Sequence, residues 1–352
     1  MSREQSQNVP QAAPLVEVRR GPIVESRHRG HVAAATGAGN LVAFIGEPET
    51  VTYLRSSAKP FQALPLVTSG AADRFGFDEA ELAVACGSHD AERVHTEAVL
   101  SMLGKTGLGV SDLKCGAQEP YGKEAAGRLR ASGEPPTALH NNCSGKHAGM
   151  LALALHLGAA VENYYEPNHP VQRAVFQTVA RFAGLPADAI EFAVDGCGVP
   201  TFALTLGAMA HMFARFVAPG GEFGEGPGEA ARRIVAAVCA HPVMVEGEGE
   251  LDTELMRAGR GRFISKVGAE GVYTAGVLAC ERWPRGLGLA FKIEDGDKGD
   301  RARPAAAVEA LRQLGVIGCE EVGSLTKFAR QTVKNRRGEE VGEVRPAFDL
   351  KA

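Results

Sequence analysis

No block of lysine or arginine interrupts this 352-residue chain, whose formal net charge is −4. A nucleic-acid surface built on a basic patch is thereby excluded. No apolar run is long enough to span a bilayer. The opening residues MSREQSQNVPQAAP are polar and lack an apolar core, so no secretion signal is expected. The seven cysteines, at 86, 115, 143, 197, 239, 280 and 319, are odd in number, scattered and without any Cys-x-x-Cys. They are expected to be reduced thiols of a cytoplasmic protein, free to pack or to bind metal. Internal repeats and low-complexity tracts are absent too. What is present is ordinary globular composition, 45% hydrophobic and 23% charged, in a chain long enough to bury a substantial core.

Residues 1–14 are expected to be a disordered arm and 347–352 a tail, leaving 15–346 as one domain. From Leu15 to Leu54, alternating and β-branched stretches are broken at Gly21-Pro22, Gly37–Asn40 and Glu47-Pro48, which predicts antiparallel strands. From about 78 to 260 the pattern turns mostly helical. Val94, Ala98, Val99 and Met102 recur at helical spacing behind Asp90, a predicted cap, and before Gly104, a predicted stop. Further helices are expected over 122–132, 145–158, 169–183, 201–216 and 228–240, with a flexible loop between the last two. Strands return at RFISKVG, GVYTAGVLA and GLGLAFKIE, followed by a helix over 303–314 and a last strand, EVGEVRP. The pattern predicts an α/β fold, one antiparallel sheet built from both chain ends with a helical middle.

The stretch Arg55-Ser56-Ser57-Ala58-Lys59-Pro60 sets a serine and a lysine three residues apart where an apolar run begins. On a helix they share one face, and Pro60 is harmless in the first turn. A serine hydroxyl becomes nucleophilic when a neighbouring base takes its proton, and a lysine of lowered pKa is such a base. Free N–H groups at a helix mouth suit a developing oxyanion. Taken alone, the same residues are a capping serine and a surface lysine. Two later stretches add weight: Cys86-Gly87-Ser88-His89-Asp90 and Ser265-Lys266-Val267-Gly268. Ser-x-x-Lys, then Ser-x-Asp, then Lys-x-Gly on a late strand resembles the catalytic elements of serine β-lactamases, penicillin-binding proteins and related glutaminases. Asp90 stands where those enzymes often carry Asn, and Val267 where they carry Thr or Ser, which points away from β-lactams.

Cys143 and Cys197 lie in polar, turn-like text, HNNCSGKH and DGCGVP, where a core position is not expected. Two thiolates and a nitrogen suit a tetrahedral zinc with water in an open position. His147 is the ordinary nitrogen ligand. Lys146 is the unusual one, since it must first lose a proton.

The stretches LVEVRRGPIVESRHRG, RSSAKPFQALPL, ACGSHDAERVH, HNNCSGKHAGML, DGCGVPTFAL, SKVGAEGVY and LAFKIEDGDKGDRARPAA extend this pattern. From about Leu15 to Pro346 the chain resembles the L-asparaginases of the Rhizobium-inducible, thermolabile type. That resemblance implies a single serine β-lactamase-like domain, a homodimer, and hydrolysis of the side-chain amide of L-asparagine to aspartate and ammonia. It implies two serine–lysine pairs, Ser56 with Lys59 and Ser88 with Lys266, with Ser56 the first choice of nucleophile. It implies zinc held by Cys143, Lys146, Cys197 and water. Substrate recognition falls to Asp195 for the ammonium, and to Arg55 and His147 for the carboxylate or amide. At least one family member carries a cysteine just before the Thr-Glu-Leu-Met stretch, where this chain has Asp252. Two rival classes stay compatible with the residues. One is an amidohydrolase in which zinc activates water; the other is a penicillin-recognising or amino-acid-binding protein without turnover.

Overall fold

A computed structural model describes residues 11–351. Three strands come from the start of the chain: β1 (Ala13–Arg20), β2 (Ile23–Thr36) and β3 (Leu41–Ile45). The short strands β4 (Val51–Tyr53), β5 (Phe192–Val194) and β6 (Pro200–Thr205) follow. The chain end supplies β7 (Phe263–Val267), β8 (Val272–Val277), β9 (Leu287–Ile293), β10 (Gln331–Lys334) and β11 (Glu340–Pro346). The main sheet is antiparallel, ordered β10-β11-β1-β2-β9-β8-β7 with β3 also on β2. Both chain ends thus share one sheet, and the helices lie between them in sequence, as the strand–helix–strand pattern predicts.

The second half of β2, Gly30–Ala35, is buried throughout, so this part of the sheet is covered on both faces. Alternate residues serve the two layers. Ala33, Ala35 and Ala290 join a helical core with Phe61, Phe182, Phe213 and Phe216. Val32, Ala34, Leu289 and Phe291 join a second core with Ala306, Ala307 and Leu311 of the Arg303–Gln313 helix. The Leu206–Val217 helix presses so closely on β9 that a Cβ at Gly288 would lie 1.7 Å from the Ala210 carbonyl. Only glycine allows that approach.

Several boundaries differ from the sequence reading. β4 leaves the main sheet and pairs with β6 in a separate sheet ordered β4-β6-β5. The expected 201–216 helix begins only at Leu206, capped by Thr205; Pro200–Thr205 is strand. Short apolar runs such as TFALTL fit either period. Asp90 is not the helix cap: Arg93–Thr106 starts behind Glu92 and passes Gly104 to end at Gly107. The predicted loop after Val217 already turns helical at Glu225. The expected arm lies outside the described residues up to 10, and Ala12 is buried ahead of β1. The expected tail packs: Phe348 is buried, and Phe44 and Lys351 exchange two N–H···O bonds of 2.8 Å. No helix of the described residues is long and apolar enough to cross a membrane.

Candidate active site

The chain reaches the serines through a strained corner. Arg55 has φ +51°, a left-handed conformation that a Cβ disfavours, and its N–H donates to Thr201 Oγ1 at 3.0 Å. A single turn over Arg55–Ala58 then leads into the Lys59–Thr68 helix, with Pro60 at its start. Ser56 faces a cleft of about 350 Å³ whose wall also includes Ser88, Asp90, Asn142, Glu246 and Arg303. Ser57 points elsewhere. It is buried and donates to the Lys266 carbonyl at 3.1 Å.

Lys59 is only 1% exposed. Its Nζ donates to the Gly87 carbonyl at 2.6 Å, to Ser88 Oγ at 2.8 Å and to the Asn142 carbonyl at 3.2 Å. Burial, partly opposed by Cys143 and helped by the like charges of Lys146 and Lys266, brings its pKa down to about 8. The hydrogen bond therefore joins Lys59 to Ser88, where the sequence pairs Lys59 with Ser56.

Lys266 is also turned away from its expected partner. Its Nζ donates to Asp252 Oδ2 and to the Val267 carbonyl, both at 3.1 Å, and both charged side chains are almost wholly buried. Asp252 further accepts from Ser265 Oγ at 2.7 Å and from the Val267 N–H at 2.9 Å. Glu246, which sequence reasoning missed, joins this group through Oε2, which accepts the Asp252 N–H at 2.7 Å. Burial first, then the charge of Asp252, pushes the Glu246 pKa up to about 8. Ser88 N–H bonds the Val245 carbonyl at 2.7 Å and Asp90 N–H bonds the Glu246 carbonyl at 2.8 Å, so the acid is tied to the serine loop. Gly247 lies beside it, and a Cβ there would fall 2.2 Å from the Asp90 carboxylate, which would have to move.

The second cluster gathers Cys143, Lys146, His147 and Cys197. Lys146 Nζ donates to Cys197 Sγ at 2.9 Å, and Cys143 Sγ donates to Asn142 Oδ1 at 3.2 Å. The neighbouring Cys143, opposed by burial and helped by Lys146, holds the Cys197 thiol far below the usual range. Closeness to Cys197, together with burial, pushes Cys143 up. Lys146 is raised, because the two sulfurs outweigh its burial. His147 Nδ1 lies 2.6 Å from Tyr164 Oη, while the buried Nε2 has no hydrogen-bond partner. Two sulfurs, an amine and an orphaned imidazole nitrogen fit a tetrahedral zinc ion. Among the described residues no three His, Cys, Asp or Glu side chains are grouped as a metal site, so zinc here depends on Lys146 as a ligand.

Arg55 and Asp195 find each other: Nε and Nη2 donate to Oδ1 at 3.1 and 2.9 Å. Neither they nor His147 line the serine cleft. Asn142 joins the two clusters, accepting from Lys59 through its carbonyl and from Cys143 through its side chain.

A sequence model described as L-asparaginase II matches residues 16–346. The chain is similar to a crystal structure of Mglu in its native form in 4.3 M NaCl, at 16% identity and TM-score 0.43. That match covers 82% of this chain but 60% of Mglu, so the chain spans well under two thirds of that protein. It is also similar to a probable glutaminase from Bacillus subtilis complexed with 6-diazo-5-oxo-L-norleucine, at 13% identity and TM-score 0.34. There the match covers 76% of this chain and 78% of the other. Curated proteins gave no match.

Proposed function

The chain belongs to the L-asparaginase II family, and from that premise we propose that it is an amidohydrolase that cleaves the side-chain amide of L-asparagine through an ester on Ser56. The observation that carries this reading is a buried lysine of pKa about 8 bonded to Ser88, in the wall of the cleft that Ser56 faces. In this scheme Ser56 Oγ attacks the amide carbon and its proton passes to neutral Lys59, with Ser88 as the neighbour that relays it. N–H groups at the helix mouth hold the oxyanion. Lys266 lies behind that wall, buried and paired with Asp252, next to the lining residue Val267.

Arg55 directly precedes Ser56, and in this scheme its pair with Asp195, which lies outside the cleft lining, must shift toward the cleft for the guanidinium to meet the substrate carboxylate and Asp195 the ammonium. Cys143, Lys146 and Cys197 would hold zinc, with His147 as the spare nitrogen. When bound, zinc would supply a Lewis-acid centre that ties the turn carrying Asp195 to the Ser144–His156 helix carrying His147. A second reading, water activated at that centre, rests on the same cluster. The proposed homodimer has a candidate surface in Val51, Tyr53, Phe192 and Val194, all exposed on the small sheet. A cytoplasmic location fits the seven unpaired cysteines.

The direct test is ammonia release from L-asparagine by the purified chain, with L-glutamine as the comparison. Release from asparagine is expected; a protein that binds asparagine and never turns it over would be the binding protein instead.

A further inference from the structure

Two carboxyl groups meet beside the serine cleft in unequal surroundings. Asp252 is fully buried, and donors occupy both its oxygens: Ser265 O–H on Oδ1, and Lys266 Nζ and the Val267 N–H on Oδ2. Each favours the ionised form. Glu246 has one donor, the Asp252 N–H on Oε2, and no bond is made by Oε1 among the described residues. Neighbouring carboxyls resist ionising together. The proton therefore belongs to Glu246, in the wall shared with Ser56 and Ser88.

We propose that Glu246 is a further catalytic residue, the acid that protonates the departing amide nitrogen and then the base that receives a proton from the hydrolytic water. The proposal rests on the serine-ester reading. In the first half, Ser56 Oγ bonds to the amide carbon and its proton goes to Lys59. The C–N bond then breaks, and the nitrogen keeps the electron pair, takes the Glu246 proton and leaves as ammonia. In the second half, water bonds to the ester carbon and gives a proton to the Glu246 carboxylate. The C–Oγ bond breaks, and Ser56 recovers its proton from Lys59. Both residues end as they began.

The surroundings suit a group that both gives and takes a proton. Lys266 on β7 and Arg303 on the last long helix favour its carboxylate. Asp252, Asp90 across the backbone bond, and the cleft-lining Glu250 and Asp300 favour its acid, as does burial.

Glu246→Gln keeps an acceptor for the Asp252 N–H but has no proton to give. Ammonia release from asparagine should fall by about 10²- to 10⁴-fold, the usual worth of a positioned acid. The side-chain para-nitrophenyl ester of L-aspartate needs no proton on its leaving group. With that ester the variant should give a burst of nitrophenolate and then stall, with an acyl group on Ser56 in the mass spectrum of quenched protein. Glu246→Asp, a shorter acid, should recover part of the amide turnover, and it carries the test if the glutamine variant does not fold. Asparagine turnover within about threefold of the parent, or loss of the ester burst together with amide turnover in folded protein, would overturn the proposal. Ser56→Ala separates the two readings: it should abolish the ester burst, and a burst that survives there overturns the serine reading itself.

Discussion

Lys59 Nζ and Ser88 Oγ stand 2.8 Å apart in a buried setting, and the lysine's other two bonds go to main-chain carbonyls. Ser88 is thus the one side chain through which Lys59 meets the cleft. The sequence order Ser-x-x-Lys points to Ser56 as its partner, and the fold gives it the serine of the next motif.

Lys59→Arg keeps the charge and removes the base, because a guanidinium does not give up its proton in this range. The variant should be nearly inactive even where it folds, with some loss of stability from fitting a larger side chain into a buried site. Arginine-variant turnover within about tenfold of the parent would remove Lys59 from the role of base.

The pH dependence follows from two groups near the same value. Lys59 must be neutral, so activity rises as pH climbs through about 8. Glu246 must be protonated, so amide turnover falls again as pH passes about 8. The expected profile of kcat/KM is a narrow bell, and Glu246→Gln should lose its alkaline limb. A parent profile that keeps climbing to high pH would contradict the second limb.

Ser56→Ala should abolish turnover with little change in stability, since its hydroxyl faces the cleft. Ser57→Ala should do the reverse: it loses a buried bond to the Lys266 carbonyl, costing about 1 kcal/mol, and keeps most of the activity. Urea unfolding and ammonia release on both variants check the contrast.

Asp252→Asn leaves the Lys266 cation buried without its counter-charge. Breaking one side of such a pair costs on the order of 3–5 kcal/mol, so the urea midpoint should drop sharply. A loss below about 1 kcal/mol would mean that Lys266 finds another way to satisfy its charge.

How far these residues were legible depends on where their partners sit in the chain. The pairing of the Cys143 and Cys197 stretches, and the position of Ser56 before a helix, follow from polar motifs set against apolar text, whereas Lys146 was singled out over His147 only by the family resemblance. The sheet shared by both chain ends follows from β-branched runs at each end. Glu246 was not legible. It lies in PVMVEGEGE, with no periodicity to mark it, and its importance arises only when Asp252 folds back against it. Lys266 likewise needs Asp252, a residue visible in sequence only as the replacement of a cysteine. β6 reads differently from the helix expected there because the six residues PTFALT carry no decisive period, and its partner β4 lies far away in the chain.

Removal of zinc should raise KM for asparagine more than it lowers kcat, because the metal's proposed work is to fix the turn bearing Asp195 against the helix bearing His147. Kinetics before and after chelation, with metal content measured in parallel, decide this. A protein isolated without zinc, and indifferent to added zinc, would leave Cys143 and Cys197 as a thiol pair without metal.

The measurement that bears most directly on the serine ester is mass spectrometry of protein mixed with L-asparagine and quenched in acid during turnover. The predicted result is an aspartyl group on the peptide containing Ser56, absent from Ser56→Ala. An adduct on Ser88 instead, or active enzyme with no serine adduct even when deacylation is slowed in Glu246→Gln with the nitrophenyl ester, would contradict it.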